Sequence, residues 1–211
     1  MNLRIYLDIL LLGNLVFLMA YPLFDMRYHV AGGIFFFILL AIHHWLNRRW
    51  GKSLSRGRWT GKRFLETVVN AGLAVIFLLL LYSGLYFMQR NLSLHVLPGS
   101  MMMARAIHLW CAYAGFLLAA IHLGLHGQMV ISLCRKWTRN RSWAIRGMSL
   151  LAMLVAAYGI WAFIHRQWSD YLFLQTHFMF FDFMEKPLPF FADHLAILVA
   201  AAWLAWKFSG R

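Results

Sequence analysis

Residues 104–127 read ARAIHLWCAYAGFLLAAIHLGLHG, a nearly unbroken apolar run with His108 and His122 placed 14 residues apart. A hydrocarbon core about 30 Å thick is crossed by roughly 20 apolar residues in a helix. The stretch therefore predicts a membrane-spanning helix that carries ionisable groups inside it. Such groups are costly in a membrane, which makes each of them a candidate functional residue.

The composition of the whole chain points the same way. Of its 211 residues, 62% are hydrophobic and 13% are charged, against about 25% charged residues in an ordinary soluble domain. The two cysteines, Cys111 and Cys134, cannot build a disulfide framework, and the chain has no Cys-x-x-Cys-His motif. These features exclude a water-soluble globule and covalent, c-type haem attachment.

Six apolar stretches are long enough to cross a membrane. We therefore predict an all-α, polytopic membrane helix bundle with about six transmembrane helices, in a single domain over residues 1–211. The first stretch contains Asp8 and Asn14 and lacks a basic n-region with a small-residue cleavage site, which favours a retained helix over a removed signal peptide. The stretches lie near residues 4–24, 28–47, 66–88, 104–127, 147–165 and 190–207.

The basic residues alternate with these stretches in a way that predicts topology. The formal net charge of +13 does not indicate nucleic-acid binding, because the cations lie between apolar runs and not in one patch. Fifteen of the 20 Lys and Arg fall on the side that includes both termini. By the positive-inside rule we expect both termini in the cytoplasm, with the chain in the inner (cytoplasmic) membrane of a bacterium or archaeon. The opposite side carries five: Arg27, Arg90, Arg105, Arg166 and Lys186.

The aromatic segment 168–184 is interrupted by Asp170, His177 and Asp182. This pattern favours a helix or loop that lies at the membrane interface, on the extracytoplasmic side.

Two histidine pairs share one spacing. His29 and His43 lie 14 residues apart on the second stretch, as His108 and His122 do on the fourth. In a helix this spacing leaves two side chains about 40° apart and about 21 Å apart along the axis. One spanning stretch separates the second from the fourth, so the two should run parallel, with His29 level with His108 and His43 level with His122.

Two facing imidazoles at each of two levels can supply the axial ligands of two stacked haems in a dihaem four-helix core. A tetrahedral zinc site fits less well, because zinc needs about four ligands at one point. His126 lies five turns after His108, on the face of His122, and is the alternative ligand on the cytoplasmic side. For the haem propionates, Arg105 and Arg27 are the candidate cationic partners.

The remaining histidines carry weaker expectations. His95, His177 and His194 lie in or beside extracytoplasmic segments, where surface or interface positions are expected. His44 points about 100° away from His43.

Three motifs support a resemblance that covers nearly the whole chain. They are HHWLNRRW at 43–50, IHLGLH at 121–126, and a tail with FDF at 181–183 and PFFADHLAI at 189–197. The chain resembles the flavinylation-associated cytochrome domain family, and departs from it at His194, where an aromatic residue is usual. The resemblance implies a dihaem b-type membrane cytochrome with His29, His43, His108 and His122 as ligands, which often acts beside extracytoplasmic flavoproteins.

The expected function is electron transfer across the membrane through two haems b. The electrons would pass between a quinol or cytoplasmic donor and an extracytoplasmic flavoprotein, iron-sulfur protein or multihaem cytochrome, in either direction. One alternative is a quinone-reactive anchor subunit of a larger oxidoreductase. Another is a transporter or structural membrane subunit without haem, in which the histidines serve as proton or packing groups.

Overall fold

The computed structural model describes residues 3–54, 58–94, 96–176, 178–179, 182 and 184–209. Its regular structure there is helical throughout, as predicted. A short 3-10 turn, Tyr21–Leu23, follows the first helix. The α-helices are α1 Leu3–Met19, α2 Met26–Asn47, α3 Arg49–Ser53, α4 Gly61–Asn91, α5 Met101–Leu125, α6 Gly127–Trp137, α7 Ser142–His165, α8 Trp168–Leu172 and α9 Pro187–Ser209.

Five of the described helices are long and apolar enough to span a membrane: α2, α4, α5, α7 and α9. They match the last five predicted stretches and make the chain a multi-pass membrane protein. Helix α1 has 17 residues and is about 26 Å long, a little short of the roughly 30 Å hydrocarbon core. The count of six spans and the side on which each terminus lies remain predictions.

The described residues fall into two compact units, Met1–Gly61 with Phe180–Phe191, and Lys62–Met179 with Ala192–Arg211. The single domain expected over residues 1–211 remains a prediction. The first unit is built on an antiparallel pair, α1 and α2. Asn14 of α1 donates from Nδ2 to the Gly32 carbonyl of α2 at 2.9 Å. The Asp25 side chain caps α2 by accepting from the Arg27 backbone N–H at 2.8 Å.

In the second unit, α4 and α5 pack antiparallel. Residues near the end of α4 contact residues near the start of α5, and the reverse holds at the other end. The contacts are Ser83 with His108, Ile76 with Gly115, and Asn70 with His122. A Cβ placed on Gly115 would lie 2.9 Å from Ile76 Cγ2. The small residue on the histidine face of α5 therefore allows α4 to approach closely.

The opposite side of α5 packs against α8 and α9. The Tyr113 ring stacks on Tyr171 at 4.1 Å between centroids and meets the edge of Trp168 at 4.8 Å. Trp110 donates from Nε1 to the Leu172 carbonyl at 3.0 Å. The segment after α7 thus begins as a short helix whose large rings are buried against α5. Its place on the extracytoplasmic side remains a prediction.

Helices α7 and α9 pack with their backbones in direct contact at Gly159. A Cβ on Gly159 of α7 would overlap the Ala196 carbonyl oxygen of α9. At the same interface Tyr158 donates its hydroxyl to Asp193, whose other oxygen lies 2.7 Å from Arg166 Nε. Asp193 is buried, and its charge is balanced by this guanidinium.

Gly159 provides a stability test of this interface. We expect Gly159→Ala to lower the free energy of unfolding by about 1–3 kcal/mol, because the added methyl overpacks the contact with Ala196. The matched control is Gly147→Ala, in the same helix, where nothing lies within 4 Å of the new Cβ. There the gain in helix propensity should leave stability unchanged or higher, by up to about 1 kcal/mol. Thermal unfolding in detergent measures both, and equal melting temperatures would contradict the packing argument.

Helices α3 and α6 were not predicted. Residues 127–137 were counted as part of a basic connection, whereas the structure forms an amphipathic helix that ends in Arg135, Lys136 and Trp137. The polar half of this helix interrupts the apolar run, so hydropathy does not predict a membrane span there.

Candidate functional site

The four candidate ligand histidines lie where their spacing predicts, on two continuous helices. His29 and His43 belong to α2, and His108 and His122 belong to α5. All four are half-buried. Each helix therefore holds two imidazoles on nearly one face, about 21 Å apart along its axis.

His108 is held by Ser83 of α4. Its Nδ1 lies 2.9 Å from Ser83 Oγ, and that hydroxyl donates its only proton to the Leu80 carbonyl at 3.0 Å. When that single hydroxyl proton is donated to the Leu80 carbonyl, Oγ accepts from the imidazole. The neutral His108 ring is then the Nδ1–H tautomer, with the lone pair on Nε2.

His122 is held in the same way, by Asn70 of the same helix. Its Nδ1 lies 2.8 Å from Asn70 Oδ1, an amide oxygen that can only accept. His122 is therefore also an Nδ1–H tautomer. The α5 histidines thus present the same nitrogen to α4 at both ends of the helix pair.

His43 makes the corresponding contact with a carboxylate in the first unit. Its Nδ1 lies 2.8 Å from Asp8 Oδ1 of α1, with 26% of the histidine side chain and 37% of the aspartate side chain exposed. The polar Asp8 in the first apolar stretch thus has a partner that accounts for its presence. Of the three described pairs, this one alone brings a formal negative charge to the imidazole.

His29 has different surroundings. The Tyr21 ring meets its edge at 5.0 Å between centroids. This contact comes from the 3-10 turn that follows α1.

The two candidate propionate partners are both exposed. Arg27 pairs with the capping residue Asp25, Nε to Oδ1 at 3.2 Å, and this guanidinium lowers the pKa of the Asp25 carboxyl. Arg105, in the second turn of α5, places its guanidinium carbon 5.4 Å from the centre of the Phe178 ring.

His126 lies just outside α5, as its C-terminal cap. It is exposed, and its ring meets the edge of the His122 ring at 4.8 Å between centroids. The structure therefore brings the two alternative ligands together but places only His122 within the helix and against α4.

The five other histidines divide into three groups: the exposed His44 and His165, the buried His194, and two outside the described residues. His44 donates to the carbonyl of Leu40, four residues earlier, and is exposed. His194 is buried, with 2% of the residue exposed, between Phe116 and Trp168. The expectation of a surface or interface position for His194 is wrong, because α9 begins at Pro187 and turns this residue into the second unit. His95 and His177 lie outside the described residues, as do Phe181, Phe183 and Arg211.

Side chains that could ligate a metal ion do not form large clusters in the described part of the chain. Among those residues, no group of three or more His, Cys, Asp or Glu side chains comes together. A bare metal ion that needs four protein ligands has no such set there. Single imidazoles whose Nδ1 contacts an oxygen of a neighbouring helix could ligate a metal that brings donors of its own, such as haem iron.

Sequence reasoning identified the histidines but not the groups that hold them. The sequence shows Asp8 as a polar residue within the first apolar stretch but gives it no role, and it gives no reason to select Asn70 or Ser83. Their signal was polarity inside apolar helices. To assign them, one needs the register of α1 against α2 and of α4 against α5, which the helical period alone does not supply.

Comparisons of the chain with protein-family models, with curated proteins and with solved structures gave no match.

Proposed function

We propose that this chain is a dihaem b-type cytochrome that carries electrons across the membrane. In this proposal His29 and His108 ligate one iron, and His43 and His122 ligate the other. The observation that supports it most is a contact that His43, His108 and His122 share. Each has its Nδ1 against an acceptor on a neighbouring helix.

This arrangement would suit histidines that hold haem iron. A ligating histidine commonly donates its second ring N–H to a carboxylate or another acceptor, which fixes the tautomer and the orientation of the ring. Asp8, Asn70 and Ser83 would serve as these acceptors. The alternative, in which the histidines only pack or move protons, gives no reason for the same nitrogen to be engaged three times.

The order of the helices supports the proposed pairing of ligands. Helix α4 is the candidate span between α2 and α5 in the described sequence. If each helix crosses the membrane once, α2 and α5 run in the same direction. The first histidine of one pair is then at the depth of the first histidine of the other.

Between His122 and His126, the contacts favour His122 as the ligand. His122 lies in the helix and is oriented by Asn70, whereas His126 is an exposed capping residue with a non-helical backbone. We propose that His126 packs beside the ligand and does not replace it.

A haem bound by two histidines supplies one-electron transfer between ferric and ferrous iron, with no open coordination position. The protein's own residues then have three tasks. The imidazoles hold the iron, the residues on α1 and α4 orient the imidazoles, and the apolar helices exclude water. Arg27 and Arg105 remain our candidates for the propionates, because both are basic residues close in sequence to His29 and His108.

A reduced-minus-oxidised visible spectrum with pyridine haemochrome quantification tests the proposal on detergent-purified protein. We expect about two haems b per chain with low-spin bands. Folded protein that was produced with adequate haem supply and carries none would overturn it. A ratio near one haem per chain would overturn the dihaem assignment specifically.

A further inference from the structure

A basic and aromatic crevice opens where α6 passes into α7, beginning 15 residues after His122. It is lined by Trp137, Thr138, Arg139, Arg141, Trp143 and Ala144, and its volume is about 250 Å³. We refer to it as the arginine–tryptophan crevice. Because α7 is a candidate membrane span that begins at Ser142, the crevice lies at one end of a spanning helix, where lipid headgroups are found.

The turn that forms the crevice has a defined backbone. Arg139 and Asn140 both adopt left-handed conformations, with φ of 48° and 57°. The Asn140 N–H donates to the Arg135 carbonyl at 2.8 Å, and the Arg141 N–H donates to the Thr138 carbonyl at 3.0 Å. These bonds end α6 and start α7 within a few residues, and they bring Arg139 and Arg141 to the same opening.

The positive charges of the crevice have no acidic residues near them in the sequence. No Asp or Glu occurs in the sequence between Glu66 and Asp170. Within the described part of the chain, no ion pair is formed by Arg139 or Arg141. Arg139 and Arg141 therefore line the crevice as cations without an acidic partner in the described part of the chain. The guanidinium group has a geometry that suits phosphate oxygens.

Two tryptophans give the crevice its amphipathic character. Trp137 is 90% exposed and Trp143 is 70% exposed. Exposed indoles are unfavourable in water, but they are enriched at the headgroup level of membranes. Their position on either side of the arginines matches a ligand that has an anionic head and an apolar body.

We propose that the arginine–tryptophan crevice binds the headgroup phosphate of an anionic phospholipid in the leaflet at the α6–α7 end of the bundle. The two arginines contact the phosphodiester, and the indoles lie beside the glycerol and upper acyl chains. This site is independent of haem. It goes beyond general lipid contact, because it assigns a preferred headgroup charge to named residues.

The test uses the full chain, purified in detergent and delipidated, with native mass spectrometry to count bound lipids. Phosphatidylglycerol is the anionic probe and phosphatidylcholine is the zwitterionic one. We expect phosphatidylglycerol to be retained roughly tenfold more strongly. The Arg139→Gln, Arg141→Gln double variant should lose most of that preference, a fall of about tenfold.

The matched control is Arg135→Gln, Lys136→Gln, which removes the same charge from the last turn of α6 without touching the crevice lining. We expect it to keep the preference within about threefold. Equal losses in the two double variants would show diffuse attraction only and would overturn the site. Equal retention of both lipids by the wild-type chain would also overturn it.

Two further arms complete the test. Inorganic phosphate that displaces phosphatidylglycerol at equal concentration would show a free-anion site, and would overturn the lipid assignment. If the double crevice variant fails to fold by circular dichroism, the single variants Arg139→Gln and Arg141→Gln replace it. Each should weaken phosphatidylglycerol retention by about threefold or more, and wild-type retention in both would overturn the proposal.

Discussion

Replacing His29 or His108 with Ala is expected to remove one haem from the protein and to leave the other in place. The reason is the separation along the helices, since each histidine is 14 residues and about 21 Å from the other member of its pair. A lost ligand at one level leaves the iron ligands at the other level intact. Haem-to-protein ratios and low-temperature difference spectra of the two variants measure this, and both variants should lose the same spectral component.

The reciprocal variants sharpen the result. His43→Ala and His122→Ala should both remove the second component and keep the first. Controls are His44→Ala, His126→Ala and His165→Ala, which replace exposed histidines and should keep both haems. Equal loss of both components from each single ligand variant would contradict two independent levels. Loss of a haem in His126→Ala but not in His122→Ala would reverse the assignment of the ligand on α5.

The extent to which sequence predicts this structure differs between its helices and its contacts. Long apolar runs determine where helices form, so α2, α4, α5, α7 and α9 follow from hydropathy. The helical period then places each histidine pair on one face. Neither argument predicts helix-to-helix register, which brings Asp8 to His43 and Asn70 to His122.

The sequence also does not predict which side chains are buried when burial depends on tertiary packing, as it does for His194. His194 was expected at a surface or interface because an aromatic, charge-interrupted segment precedes it. In the structure, α8 and α5 enclose it with Trp168 and Phe116. The Gly159 contact belongs to the same class, because a glycine in an apolar helix predicts close packing but not its partner.

Asp8 brings a negative charge to His43, one of the four histidines that we propose as haem ligands. A carboxylate that accepts from Nδ1–H raises the basicity of the imidazole, which stabilises ferric over ferrous iron. His108 and His122 have neutral acceptors instead, Ser83 and Asn70. The haem ligated by His43 should therefore have its reduction potential lowered by a contribution that the other ligands do not receive.

Asp8→Asn removes the charge but keeps an oxygen that can accept from His43. We expect it to raise the midpoint potential of one haem, the one that His43→Ala removes. A tenfold shift in the ferric-to-ferrous balance corresponds to about 59 mV for one electron, and we expect a rise of about this size. Spectroelectrochemical titration of the detergent-purified protein resolves the two components.

The control for this measurement is Asn14→Leu, which removes the other polar contact between α1 and α2, the bond to the Gly32 carbonyl. A change that comes only from loosening the α1–α2 pair should appear in both Asn14→Leu and Asp8→Asn. The rise in midpoint potential should appear in Asp8→Asn alone. Equal shifts of both haems in Asp8→Asn would contradict a local carboxylate effect, as would a shift confined to the haem that His29→Ala removes. If the rise appears as expected, the Asp8 charge makes the His43 haem the weaker oxidant, and it favours electron flow from that haem to its partner.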